Sequence, residues 1–110
     1  MRPRAQSYHS YLSTEDRIFV YLITQPRIDK PAELVRYYIR YQTCFDGEWK
    51  DVVEYDNCHD KVHQHNYDRG GNKGPAKILG LNDDPKRSCE DLQEQMALLY
   101  GKFKEWYNNR

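Results

Sequence analysis

No stretch of this sequence approaches the roughly 18 consecutive apolar residues that a membrane-spanning helix requires, so no membrane partner is expected. Residues 1–15 also lack the apolar segment of a secretory leader. Net charge is missing too: 17 basic residues face 17 acidic ones, and the balance holds on both sides of Tyr55. That excludes a protein coated in positive charge for gripping duplex DNA, and equally the highly charged composition of a disordered chain. Cysteine is scarce, with Cys44, Cys58 and Cys89 far apart and no CxxC pair. A disulfide scaffold is therefore not expected, and a reducing cytoplasm is the expected location. Leu, Ile, Val and Phe together number only 21, whereas tyrosine reaches 10. Tyrosine must then supply much of the apolar area, and each buried hydroxyl will need a partner.

Residues 1–15 show no periodicity and read as an irregular N-terminal arm; residues 16–110 read as a single domain. Arg17–Thr24 (RIFVYLIT) is a short apolar, β-branched and aromatic run, too short for a helix, and so a buried strand. Pro26 and Pro31 make the next segment a connector. ELVRYYIRYQTCF and DGEWKDVVEY then form two strands around Asp46-Gly47. A two-residue loop would set Tyr41 opposite Val52 and Ile39 opposite Glu54. A three-residue loop including Glu48 sets Phe45 opposite Trp49, Tyr41 opposite Val53, Ile39 opposite Tyr55 and Arg40 opposite Glu54. The second register keeps one face apolar and is the one expected.

KVHQHNY reads as a further strand, DRGGNKGP as a loop, and AKILGL as another short strand. From about Cys89 to about Asn108, Leu92, Met96, Leu99, Phe103 and Trp106 recur at helical spacing, with Leu98, Tyr100 and Tyr107 widening the stripe. Ser88 and Asp91 resemble a capping box at its start. The expected fold is α+β: an antiparallel sheet of about four strands with one face covered by a long C-terminal helix.

The chemistry concentrates near one turn. Three of the four histidines, His59, His63 and His65, fall within seven residues, beside Asp56, Asn57 and Cys58. On a strand, His63 and His65 share a face, roughly 6.5–7 Å apart along the chain. Imidazoles titrate near neutral pH and suit general acid–base work. In an RNA-cleaving site, one would take the 2′-hydroxyl proton and another would protonate the leaving oxygen. Asp56 would orient a ring, with Arg69, Lys73 and Asn57 binding the substrate. That chemistry needs neither a metal nor another cofactor. Tyr38 beside Arg36 and Arg40, and Tyr67 beside Arg69, are placed to stack nucleobases. Zinc binding by Cys58, His59, His63 and His65 is a second reading, though their spacing matches no common finger. A third is a non-catalytic module that docks a partner protein through a sheet edge or the arm. The loop Gly70–Pro75 lacks the GK[ST] of a phosphate loop and has no following helix.

The hairpin ending in VVEYDN, the following Cys58-His59, the His63-Gln64-His65 pair and the closing helix together resemble the TumE-type toxins of toxin–antitoxin pairs. Related uncharacterised families share the same Y-D-N-x-H signature. The likeness spans residues 33–108 and places Asp56, Asn57, His59, His63 and His65 at the characteristic positions. The tract after Asp56-Asn57 is sparser in histidine here, and Cys58 and Asp60 stand where small residues or proline are common. The resemblance implies an α+β, growth-inhibiting protein acting on RNA and held inactive by an antitoxin partner.

Overall fold

A computed structural model describes residues 2–109; Met1 and Arg110, the outer ends of the expected arm and domain, lie outside the described residues. Six strands follow one another in sequence: β1 (Arg4–Tyr11), β2 (Asp16–Arg27), β3 (Lys30–Phe45), β4 (Glu48–Asp56), β5 (Lys61–Asn66) and β6 (Lys77–Leu81). They form one antiparallel meander in the order β1-β2-β3-β4-β5-β6, and the helix α1 (Pro85–Asn108) lies across one face. The α+β class is as expected, but the sheet has six strands rather than about four.

Much of the expected arm is in fact β1, paired with β2 from Arg4–Thr24 through Tyr11–Arg17. Every β1 residue is exposed, so the strand is held by its backbone ladder and carries no burial pattern for a sequence reading to detect. The proline connector is instead a hairpin. Pro26 sits in the register break between Gln25 and Arg27, where its missing N–H costs no ladder bond.

The β3–β4 hairpin combines both registers considered from the sequence. Asp46 and Gly47, at φ 53° and φ 80°, form a two-residue turn, so Phe45 faces Glu48 and Cys44 faces Trp49. A bulge then absorbs Val52, and beyond it Tyr41 faces Val53, Arg40 faces Glu54 and Ile39 faces Tyr55. The extra residue restores the apolar face that a bulge-free two-residue hairpin would have lost.

Alternation along the strands sends Ile18, Val20, Tyr37, Ile39, Tyr41, Val53, Tyr55 and Val62 toward the helix, where Cys89, Leu92, Met96 and Tyr107 meet them. The buried tyrosines do find hydroxyl partners. Tyr37 pairs with Ser88 Oγ, Tyr41 donates to Asp16 Oδ1, and Gln95 Nε2 donates to the Tyr55 hydroxyl at 3.4 Å. Burial pushes the Tyr55 hydroxyl up to about 12. The helix begins earlier than expected because Pro85 occupies its first turn and Asp84 caps it, accepting from the Arg87 N–H at 3.3 Å. Ser88 is thus not the cap but the hydroxyl that satisfies Tyr37. Leu98, placed in the apolar stripe by spacing, is 78% exposed. No helix among the described residues is long and apolar enough to cross a membrane.

Candidate functional site

The same alternation that buries Tyr37, Ile39 and Tyr41 turns Tyr38 and Arg40 to the face without the helix. Two rows of side chains cross that open face in register. One runs Tyr21–Tyr38–Asp56–His63; the other runs Phe19–Arg40–Glu54–His65. Asp56 is the hub at the end of the first row. Its Oδ1 accepts from the Cys58 N–H at 3.1 Å and lies 3.4 Å from His63 Nδ1. Its Oδ2 lies 3.3 Å from His65 Nε2. His63 and His65 share a face, with ring centroids 6.2 Å apart, and Asp56 lies beside both rings where the sequence reading has it orient one.

The two imidazoles are not equivalent. His65 Nδ1 meets the Gly74 carbonyl at 3.0 Å, and a carbonyl only accepts, so Nδ1 carries a hydrogen. Both ring nitrogens of His65 therefore face acceptors. His63 has Asp56 behind Nδ1, and its Nε2 makes no hydrogen bond or ion pair among the described residues.

Glu54 is fully buried (0% exposed) between Arg40 and Lys73. Arg40 Nε donates to Oε1 at 2.8 Å. Lys73 Nζ contacts Oε2 outside hydrogen-bonding geometry, leaving that atom without a hydrogen bond. Burial works to lower both basic groups, but the Glu54 carboxylate outweighs it and holds each above its ordinary value. Lys73 reaches this point from the loop between β5 and β6. Asp68 Oδ1 shapes that loop by accepting from the N–H groups of Gly70 and Asn72, each at 2.9 Å. Gly74 closes it by donating its N–H to the Asn66 carbonyl at 2.8 Å. A Cβ on Gly74 would lie 2.7 Å from that same oxygen, so only glycine fits.

Three of the expected site residues lie elsewhere. His59 is exposed on the 3-10 turn Cys58–Asp60, at φ 60°, and makes no hydrogen bond or ion pair with Asp56, His63 or His65. Asn57 is buried and spent on structure. Its Oδ1 accepts from the Tyr37 N–H at 2.8 Å, and its Nδ2 donates to the Val35 carbonyl and to Asn82 Oδ1, both at 3.1 Å. Arg69 stacks over Phe45 at 5.6 Å, beside Glu48, Lys50 and Tyr107 rather than the histidines. Lys73 is in place, but as the counter-charge of Glu54.

Glu54, Phe19 and Tyr21 carry no site role in the sequence reading, which names Tyr38 beside Arg40 for stacking bases but does not join them to the histidines. The signal was present: Glu54 stands two residues before Asp56 and so shares its face. Phe19, Tyr21, Tyr38 and Arg40 line a cavity of about 250 Å³, and its Arg40 wall is the residue that donates to Glu54. Tyr21 and Tyr38 are 5.9 Å apart, and further along the face Arg17 lies 4.0 Å over Trp49. The Cys58 thiol, bonded to the Tyr38 hydroxyl at 3.3 Å, raises that phenol above its usual range, aided by burial. A larger cavity, about 470 Å³, opens between β6 and the start of α1, but it holds none of the histidines.

This surface belongs to an α+β domain in which a polar cluster and an aromatic row share the uncovered side of a sheet. The chain is a member of the family described as a domain of unknown function (DUF7718), whose match spans residues 2–109. No curated protein and no solved structure matches it.

Proposed function

We propose that the open sheet face binds single-stranded RNA and cleaves it at His63, as a toxin-like ribonuclease of the TumE type. The observation that supports this reading is the register itself: Tyr21 and Tyr38 run directly into Asp56 and His63 on one uncovered surface. Aromatic faces in a row stack successive bases with little sequence preference. Arg36 and Arg17, on the same face, supply charge for the phosphates.

His63 Nε2 takes the proton of a ribose 2′-hydroxyl while Asp56, behind Nδ1, holds the ring in orientation. The 2′ oxygen bonds to phosphorus, the bond from phosphorus to the 5′ oxygen breaks, and that oxygen takes a proton from water; the hydroxide so formed takes the proton held by His63. A 2′,3′-cyclic phosphate and a 5′-hydroxyl result. One proton-transfer imidazole thus replaces the pair expected from the sequence, because both ring nitrogens of His65 are engaged.

End-labelled single-stranded RNA incubated with the protein and its His63→Ala and Tyr38→Ala variants tests the proposal. Cleavage that vanishes in the first variant and weakens through binding in the second is expected. Equal cleavage by the protein and His63→Ala removes the catalytic assignment. A partner protein that holds the enzyme inactive belongs to the same reading; its complex forms equally well with the His63→Ala variant.

A further inference from the structure

The RNA-cleaving reading uses His63 and the aromatic row. It assigns no role to the buried Glu54, to His65, or to the loop that brings Lys73 over them. Three observations at that point belong together.

Glu54 and Asp56 lie two residues apart on one strand face, and His65 stands directly opposite Glu54 on β5. Ligand atoms from these three residues all lie within 4.8 Å of one another. Two carboxylates and an imidazole form a donor set suited to a divalent first-row cation.

His65 is also oriented as a ligand. Its Nδ1–H is fixed on the Gly74 carbonyl, the arrangement by which metal-bound histidines are usually held. Its Nε2, the nitrogen left to face a metal, stands 3.3 Å from Asp56 Oδ2, so both point at the same space.

The third observation is Glu54 Oε2, a buried carboxylate oxygen whose one close partner among the described residues is a cation, the Lys73 ammonium. Lys73 reaches it from a side chain 42% exposed on a surface loop rather than from the sheet. An ammonium in that place offers the positive charge a metal cation would offer.

We propose that Glu54, Asp56 and His65 bind one divalent cation of the manganese or zinc type, and that the Lys73 ammonium competes with it for Glu54. Arg40 stays on Glu54 Oε1 and orients the carboxylate from behind. Gly74 alone fits against the Asn66 carbonyl, and in that place its own carbonyl aims His65. The metal-free expectation drawn from the sequence is thereby replaced at His65, while His63 keeps its free nitrogen.

The test is metal binding itself, so it is independent of whether RNA is cleaved. The full chain, stripped with EDTA and dialysed, is titrated with MnCl₂ by calorimetry and by the loss of the free-ion electron paramagnetic resonance signal. One saturable equivalent is expected, weakened by about tenfold or more in His65→Ala. The Lys73→Ala variant is expected to bind tighter than the parent, an outcome a merely structural ion pair would not produce. Circular dichroism confirms that each variant is folded, and because Arg40 stays on Glu54 as a counter-charge in Lys73→Ala, that variant keeps the test open should His65→Ala unfold. The proposal is overturned if neither the protein nor Lys73→Ala shows saturable binding. Binding that is indifferent to both substitutions places the ion elsewhere and overturns it equally.

Discussion

The two faces of the sheet draw on the same residue types for opposite purposes. Under the helix, Tyr37, Tyr41 and Tyr55 are fully buried and each hydroxyl is satisfied by a neighbour. On the open face, Tyr21 and Tyr38 keep their rings part-exposed beside buried charge. The covered face is thus a closed set of contacts, its polar atoms used up. The open face differs: His63 Nε2 makes no hydrogen bond or ion pair among the described residues, a buried carboxylate on Glu54 is held by two cations, and a cavity is walled by three aromatic rings and Arg40. The covered side holds the core, and the proposed chemistry lies on the other.

Substitutions on each side should separate these roles. The largest stability loss is expected for Met96→Ala under the helix, about 2–5 kcal/mol in urea unfolding, with manganese binding unchanged while the protein stays folded. Arg40→Met on the open face removes the charged hydrogen bond to Glu54. It should cost about 1.5–3 kcal/mol by the same measurement. Tyr38→Ala should leave the urea midpoint nearly in place yet weaken single-stranded RNA binding by about 1–3 kcal/mol, read by fluorescence anisotropy. If Tyr38→Ala instead destabilises as much as Met96→Ala, the division between the faces fails.

The smallest effect concerns pH and the Asp16 carboxylate on the covered side. Burial alone would raise it, but hydrogen bonds from Tyr41, Ser13 and Lys104 prevail and hold it below its ordinary value. Its stabilisation is fully present above the unfolded value of about 3.9 and is lost as pH falls through the folded one. Between about pH 5 and about pH 3 the urea midpoint should fall, and Asp16→Asn should flatten that slope.

The covered face was the more legible in the sequence. Alternation through Tyr37, Ile39 and Tyr41, and the helical spacing of Leu92 and Met96, are burial patterns, and burial is what periodicity reports. The upper hairpin register was reached for the right reason, the need for an apolar face, although the device that achieves it is the bulge at Val52. β1 was invisible because it buries nothing. In the candidate site, Asp56, His63 and His65 were found by residue type and spacing. His59 and Asn57 were grouped with them because proximity in sequence says nothing about direction on a turn. Glu54 was treated only as a hairpin partner of Arg40, since the Lys73 loop that completes its surroundings closes through Gly74, 20 residues further along the chain.

The claim that the uncovered face is the working surface can be tested most directly by nuclear magnetic resonance. Backbone amide and histidine ring resonances would be followed while a short single-stranded RNA, with 2′-deoxy substitution to block cleavage, is added. The account predicts saturable shifts at Tyr21, Tyr38, His63 and His65, with Leu98 and the outer side of α1 unmoved. Shifts confined to the helix or to β6, or none at all, would contradict it.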